Sequence, residues 1–171
     1  MQILYGFTQL CGEIGIVLAT AVSGSILLFL KRKIYAIIFF ISSIGSAISL
    51  YLTKITFMRE RPVDIGFYQE TSFSFPSGHS TAAVTVYGLI FFLIFMNQPT
   101  FKRRTLVAIA GFAFVLLMGF SRIYLGVHFL SDVAAGFLLG SLWLLASISV
   151  GEFLQSKARR DAAKISNENE V

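Results

Sequence analysis

Five long apolar runs, punctuated by clusters of lysine and arginine, constrain this chain to a stack of membrane-spanning helices. They lie near residues 13–30, 34–53, 80–96, 105–120 and 132–150. A helix of about 18 residues covers roughly 27 Å, close to one hydrocarbon thickness. Composition agrees: 56% of residues are hydrophobic and 13% charged, and the mean hydropathy is +0.76, well off the soluble average. The fold class is all-α, a polytopic transmembrane helical bundle of about five spans. No soluble domain, long linker or internal repeat is visible, so residues 1–150 read as one membrane domain and 151–171 as a polar tail. The first part of that tail is expected to continue the last helix and its end to be disordered. Residues 1–12, with Leu4, Tyr5 and Phe7 among polar groups, read as an interfacial lead-in. No basic segment precedes the first run, so there is no signal-peptide pattern. The single cysteine, Cys11, permits no internal disulfide and no multi-cysteine metal site, and reads as a small apolar filler.

Charge sets the orientation. A balance of +5 would suggest nucleic acid in a soluble chain. Here Lys31, Arg32 and Lys33 join the first two runs, and Lys102, Arg103 and Arg104 join the third and fourth. Lys157, Arg159, Arg160 and Lys164 follow the fifth. With five spans these segments share one side, which the positive-inside rule makes cytoplasmic together with the C-terminus. A nucleic-acid partner is not needed to explain the charge. The opposite side holds only Lys54, Arg59, Arg61 and Arg122 as cations. That side also holds the two histidines of the chain, His79 and His128, with Asp132 four residues after the second. Ionisable groups retained in a largely apolar membrane chain are candidates for function.

The residue types suit phosphate chemistry. A phosphate ester or anhydride needs its charge neutralised before a nucleophile can approach. Arg61 and Arg122 offer planar forks for phosphate oxygens, and Lys54 a compact point charge. Ser77 and Gly78 offer a hydroxyl and backbone N–H groups at the expected start of the third span, where a helix N-terminus favours an anion. Pro76 fits a helix start, and Gly78 lets backbone approach the bound group. His128 is the better nucleophile candidate. Asp132 lies on the same face if the fifth span starts near His128, and a carboxylate can fix one imidazole nitrogen and free the other to attack. His79 would be the general acid toward the leaving oxygen. On residue chemistry alone the two histidines could exchange roles; Asp132 tips the choice.

Plainer readings exist for each piece. An interfacial histidine is more often structural, Arg-Pro is a common loop dipeptide, Pro-Ser-Gly makes turns, and Ser121-Arg122 could be a helix end. Joint occurrence on one face argues against all of these together. Two histidines and an aspartate are enough ligands for zinc, but Lys54, Arg61 and Arg122 would repel a cation, so neither metal nor cofactor is expected. A transporter would need a polar path through spans whose interiors carry almost no ionisable residue; Glu13 sits at the outer end of the first. Gly136 and Gly140 read as a small-residue pair for close helix packing. Trp143 lies inside a span, which argues against an interface anchor. Arg59 and Glu60 flank the Arg61-Pro62 pair, either as an ion pair with each other or as residues that tune the site.

These pieces resemble the three motifs of the type 2 phosphatidic acid phosphatase (PAP2) superfamily, lipid phosphatases related to vanadium haloperoxidases. The matching residues are Lys54, Arg61 and Pro62; Pro76, Ser77, Gly78 and His79; and Ser121, Arg122, His128 and Asp132. The resemblance covers residues from about Leu10 to about Val150. It implies a metal-independent hydrolase of phosphomonoesters or pyrophosphates. His128 would be the nucleophile, Asp132 its partner and His79 the acid, with Lys54, Arg61, Ser77, Gly78 and Arg122 around the phosphate. It implies a membrane lipid phosphate in the bilayer as substrate and an outward-facing site in the cell membrane. Undecaprenyl pyrophosphate is favoured, with phosphatidylglycerol phosphate, phosphatidic acid or diacylglycerol pyrophosphate as alternatives. A phosphotransferase using the same site is the other enzymatic reading. The family's bacterial membrane members usually have six spans, so the chain is expected to begin at the second. The segment of Val63, Asp64, Ile65, Gly66, Phe67 and Tyr68 is expected near the headgroup. Oligomeric state stays open.

Overall fold

The computed structural model describes residues 1–62, 66–68 and 70–168 of the chain. Val63, Asp64 and Ile65, expected near a headgroup, lie outside the described residues. A short helix α1 (Gln2–Thr8) and a 3₁₀ turn (Gln9–Cys11) lead into α2 (Glu13–Phe29), with a 49° bend between them. Then come α3 (Lys33–Phe57), α4 (Gly78–Ala82), a π-helical turn (Ala83–Tyr87), α5 (Gly88–Met96), α6 (Phe101–Tyr124) and α7 (Leu130–Glu168). Segments Lys33–Phe57, Gly78–Met96, Phe101–Tyr124 and Leu130–Asp161 are long and apolar enough to cross a membrane, and the bent pair ending in α2 makes a fifth candidate. The chain is an all-helical transmembrane bundle, as the apolar runs require.

The helices extend beyond the apolar runs because backbone bonding, not hydropathy, sets their ends. Thr100 caps α6 by accepting from the Arg103 amide at 3.4 Å. Lys102, Arg103 and Arg104 therefore lie in the first turn of α6, and the connection between the third and fourth spans shortens to residues 97–100. Their positive charges sit against the helix dipole, so they do not serve helix stability. Helix α7 runs past Gly151 as far as Glu168, so most of the polar tail continues the last helix.

The N-terminal segment is more than a lead-in. Phe7 packs on Phe114 of α6 with ring centroids 5.4 Å apart, and Tyr5 meets Tyr68 edge-on at 4.9 Å. Cys11 is buried against Ala82, Ala83 and Met118, where it acts as a small apolar filler. Leu27, Ala36, Phe39, Val86 and Leu89 form a second core cluster joining α2, α3 and the third span.

Small residues bring α7 close to its neighbours. A Cβ on Gly136 would lie 2.6 Å from the Ser77 carbonyl oxygen, and one on Gly140 would lie 2.7 Å from that of Thr81. Gly45 of α3 makes room for the Trp143 ring of α7, whose Nε1 donates to Ser49 Oγ at 3.2 Å. Trp143 is thus a packing residue between two spans. These contacts fix the start of α7 against the start of α4, where the histidines lie.

Candidate active site

Three chain breaks create the site. Helix α3 stops at Met58, which adopts a left-handed conformation (φ 42°) and returns its amide to the Lys54 carbonyl at 2.9 Å. Lys54 is left in the last turn, and Arg59, Glu60 and Arg61 enter the loop. Helix α6 ends in a paired closure: Val127 N–H donates to the Arg122 carbonyl at 3.3 Å and Gly126 N–H to that of Ile123 at 2.9 Å. Gly126 supplies the φ of 70° this closure needs. Arg122 therefore ends one helix and His128 stands just before the next. Helix α4 starts at Gly78 with Ser77 as its cap, and the Ser77 amide donates to the Asp132 carbonyl at 3.0 Å.

Arg122 is fully buried. Its Nη2 donates to Glu70 Oε1 at 2.9 Å, and the guanidinium lies 5.6 Å from the Tyr68 ring centroid. Its Nε and Nη1 have no hydrogen-bond partner among the described residues. Leaving buried donors of a cation unpaired is costly, and such groups point to an anionic ligand. Arg61 is held as a rigid fork. Its Nε donates to the Ser72 carbonyl at 2.8 Å, Nη1 to the Val127 carbonyl at 2.9 Å, and Nη2 to Ser72 Oγ at 3.0 Å. Glu70 bridges both guanidiniums, with Oε2 3.4 Å from Arg61 Nη2.

His128 is buried, with Nδ1 3.4 Å from Asp132 Oδ2 and Nε2 3.2 Å from Arg61 Nη1. An arginine only donates, so Nε2 accepts and the ring proton belongs on Nδ1, toward Asp132. Burial pushes the imidazole below its ordinary range. The bond to Asp132 opposes that effect, while the charges of Arg61 and Arg122 add to it. His128 precedes α7 rather than sharing a helical face with Asp132; the pair meets because Asp132 folds back over the helix start. Its Oδ2 accepts from the Phe129 amide at 2.9 Å and from Ser74 Oγ at 2.5 Å, and its Oδ1 from Arg59 Nη1 at 2.8 Å. The Phe129 bond is the reciprocal half of an N-terminal cap.

Lys54, Arg61, Gly78, His79 and Glu70 line one cavity of about 180 Å³, which Cys11 and Glu13 also border. His79 is half-buried in the first turn of α4. Lys54 Nζ donates to the Phe73 carbonyl. The Ser77 hydroxyl is part of the cap, accepting from Ser80 N at 3.4 Å and Ser80 Oγ at 3.0 Å; its own proton is not used in either bond. Pro76 precedes that cap instead of opening the helix. A Cβ on Gly78 would lie 3.2 Å from Leu50 Cδ2, so the glycine also serves packing against α3. The Ser121 hydroxyl turns back to the Met118 carbonyl at 2.5 Å.

With lysine, two arginines, two histidines and an aspartate assembled at one end of the bundle, the relation to known proteins is direct. The chain matches the PAP2 superfamily over residues 18–155. It belongs to that superfamily. A phosphatidylglycerophosphatase B of Bacillus subtilis (strain 168) is 45% identical over 85 residues, 49% of this chain and 42% of that protein. The phosphatidylglycerophosphatase B of Haemophilus influenzae is 39% identical over 94 residues, 54% of this chain and 37% of that one. An undecaprenyl-diphosphatase of Sulfolobus acidocaldarius is 36% identical over 84 residues, 47% of this chain and 34% of that one. These matched segments span less than half the length of each curated relative. The crystal structure of a transmembrane PAP2-type phosphatidylglycerolphosphate phosphatase from B. subtilis superposes with a TM-score of 0.81 at 30% identity, covering 88% of this chain and 76% of that one.

Three PAP2-site neighbours escaped the motifs. Ser74 and Glu70 carry no spacing that singles them out, since their partners are distant in sequence. Arg59 is visible as a cation on the site side, but its partner is Asp132, 73 residues away.

Proposed function

We propose that this PAP2 protein hydrolyses the terminal phosphate of a membrane lipid through a phosphohistidine on His128. The observation that carries the reading is the His128 ring, with Nδ1 turned to Asp132 and Nε2 turned to Arg61. The unpaired donors of buried Arg122 support a phosphate seat beside it. His128 Nε2 attacks phosphorus while Arg61, Arg122 and Lys54 offset the charge on the phosphate oxygens. The bond from phosphorus to the leaving oxygen breaks, and His79 gives that oxygen its proton. Water then attacks the phosphohistidine, loses a proton to His79, and the P–N bond breaks to release phosphate and restore both histidines.

The named relatives support two headgroups, phosphatidylglycerol phosphate and undecaprenyl pyrophosphate. Both present a terminal phosphate on an anchored lipid, and a site at the end of a transmembrane bundle suits either. The lysine and arginine distribution supports an outward site and a cytoplasmic C-terminus.

The test is phosphate release by purified protein in detergent with EDTA present, from each of the two lipids, beside His128→Ala. Release by the wild type that His128→Ala abolishes, with an acid-labile phosphoenzyme in the wild type alone, is the expected result. Normal turnover by His128→Ala would overturn the mechanism. Transfer of the phosphate to an added lipid alcohol in place of release would make the protein a phosphotransferase.

A further inference from the structure

Arg59 stands on the far side of Asp132 from His128. Its Nη1 donates to Asp132 Oδ1 at 2.8 Å and to Ser131 Oγ at 2.7 Å, and its guanidinium lies 4.2 Å from the Phe129 ring centroid. The Arg59 carbonyl accepts from the Ser74 amide at 2.8 Å, and the Ser74 hydroxyl donates to the other oxygen of Asp132. Arg59 and Ser74, joined by that backbone bond, therefore grip the two oxygens of the carboxylate. None of these bonds reaches the phosphate seat. Arg61, two residues on, is turned the opposite way, toward His128 Nε2 and Glu70.

The arrangement addresses a conflict in the chemistry. A carboxylate beside an imidazole orients it but also favours the imidazolium, and an imidazolium cannot attack phosphorus. Among the described residues, the charged groups facing His128 are Asp132 from α7, Arg61 and Glu70 from the loops, Arg122 from α6, and Lys54 and His79 from α3 and α4. Glu70 is bridged to two arginines, so Asp132 is, among the described residues, the anion in direct contact with the ring. Arg59 is the cation paired with that anion, and it touches neither the ring nor the cavity wall formed by Lys54, Arg61 and His79.

We propose that Arg59 is a positioning residue for the reaction, holding Asp132 toward His128 Nδ1 while offsetting its charge, so that His128 stays neutral and nucleophilic. The proposal rests on the reading of His128 as nucleophile. Ser74 shares the positioning role through the second oxygen. Neither residue contacts the reacting phosphate.

The experiment compares pH–rate profiles from pH 4.5 to 8.5 for wild type, Arg59→Gln, Arg59→Met, Arg59→Lys and His128→Ala, with the best of the two lipids above in detergent. Arg59→Met keeps the aliphatic stem over Phe129 and serves as the second neutral variant should Arg59→Gln misfold. Thermal melting and gel filtration report folding. Both neutral variants are expected to move the acid limb up by about one pH unit, the scale set by removing a nearby opposite charge. Activity below the limb then falls about tenfold relative to wild type. KM is expected to change less than about threefold, because Arg59 makes no phosphate contact, and Arg59→Lys is expected to return the limb toward its wild-type position. An unmoved limb, or an equal loss at every pH that Arg59→Lys does not restore, would overturn the proposal while leaving an inactive His128→Ala to uphold the nucleophile. Turnover retained in His128→Ala would overturn both.

Discussion

Arg61 Nη1 lies 3.2 Å from His128 Nε2, and the same guanidinium is tied to the Ser72 and Val127 carbonyls. In the proposed mechanism, the cation that neutralises the phosphate and the nitrogen that attacks it are thus held in one rigid frame. A lysine would keep the charge but lose the fork that joins the two loops. Arg61→Lys is expected to lower kcat/KM by roughly a hundredfold, in the range of losing one preorganised donor to developing charge. Steady-state kinetics on the lipid that gives the higher turnover checks this; a loss under fivefold would mean that the charge alone suffices.

The protonation of His128 can be read directly. Burial holds its pKa below the ordinary 6.5, with Asp132 opposing and the arginines reinforcing. In the proposed mechanism the neutral ring is the attacking form, so a lowered pKa extends the competent state to lower pH, and competence is lost as pH falls through the folded-state value. With only two histidines in the chain, ¹⁵N-histidine NMR on wild type and His79→Gln separates the two rings. The His128 signal is expected to titrate below pH 6.5 in the free protein, with the proton of the neutral ring on Nδ1. A midpoint above 7 would contradict the burial argument.

Glu70 occupies the space between two arginines that a phosphate would use. A bound phosphate must compete with its carboxylate for Arg61 and Arg122. Glu70→Gln removes the competing charge but also takes away the ionic partner that buried Arg122 has among the described residues. Two opposed effects follow. Inhibition by inorganic phosphate is expected to strengthen about tenfold, or about 1.4 kcal/mol, while the melting temperature without phosphate falls. Added phosphate is expected to raise the melting temperature of the variant more than that of the wild type. Equal phosphate inhibition in both proteins would show that Glu70 swings clear without cost.

Apolar runs in the sequence indicate the spans because lipid rewards uninterrupted hydrophobicity, and Lys54, Arg61, His79, Arg122, His128 and Asp132 stand out because charge is rare in such a chain. Helix ends are harder to read: Lys102, Arg103 and Arg104 look like a linker in composition, yet a hydroxyl cap at Thr100 draws them into α6. Ser74 and Glu70 are hidden for a different reason. A serine or glutamate in a loop is ordinary, and each gains meaning only from what the bundle brings beside it. The pairing of Arg59 with Asp132, rather than with neighbouring Glu60, is likewise a property of the folded bundle.

Gly136 lets the starts of α7 and α4 touch, and a methyl group there has nowhere to go. It would meet the Ser77 carbonyl oxygen at 2.6 Å and Ser80 Cβ at 2.9 Å, both inside closely packed helix starts. The same contact carries the bond from the Ser77 amide to the Asp132 carbonyl. Gly136→Ala is therefore expected to cost about 1–3 kcal/mol of stability through overpacking. It should also lower kcat by displacing Asp132 from His128, although it changes no polar group. Gly6→Ala in α1 is the control, since an added Cβ meets nothing within 4 Å. Helix propensity alone predicts that it leaves stability equal or raises it by up to about 1 kcal/mol. Melting curves and phosphate release for both variants decide the matter: similar behaviour of the two would mean that α7 and α4 can part without disturbing the site.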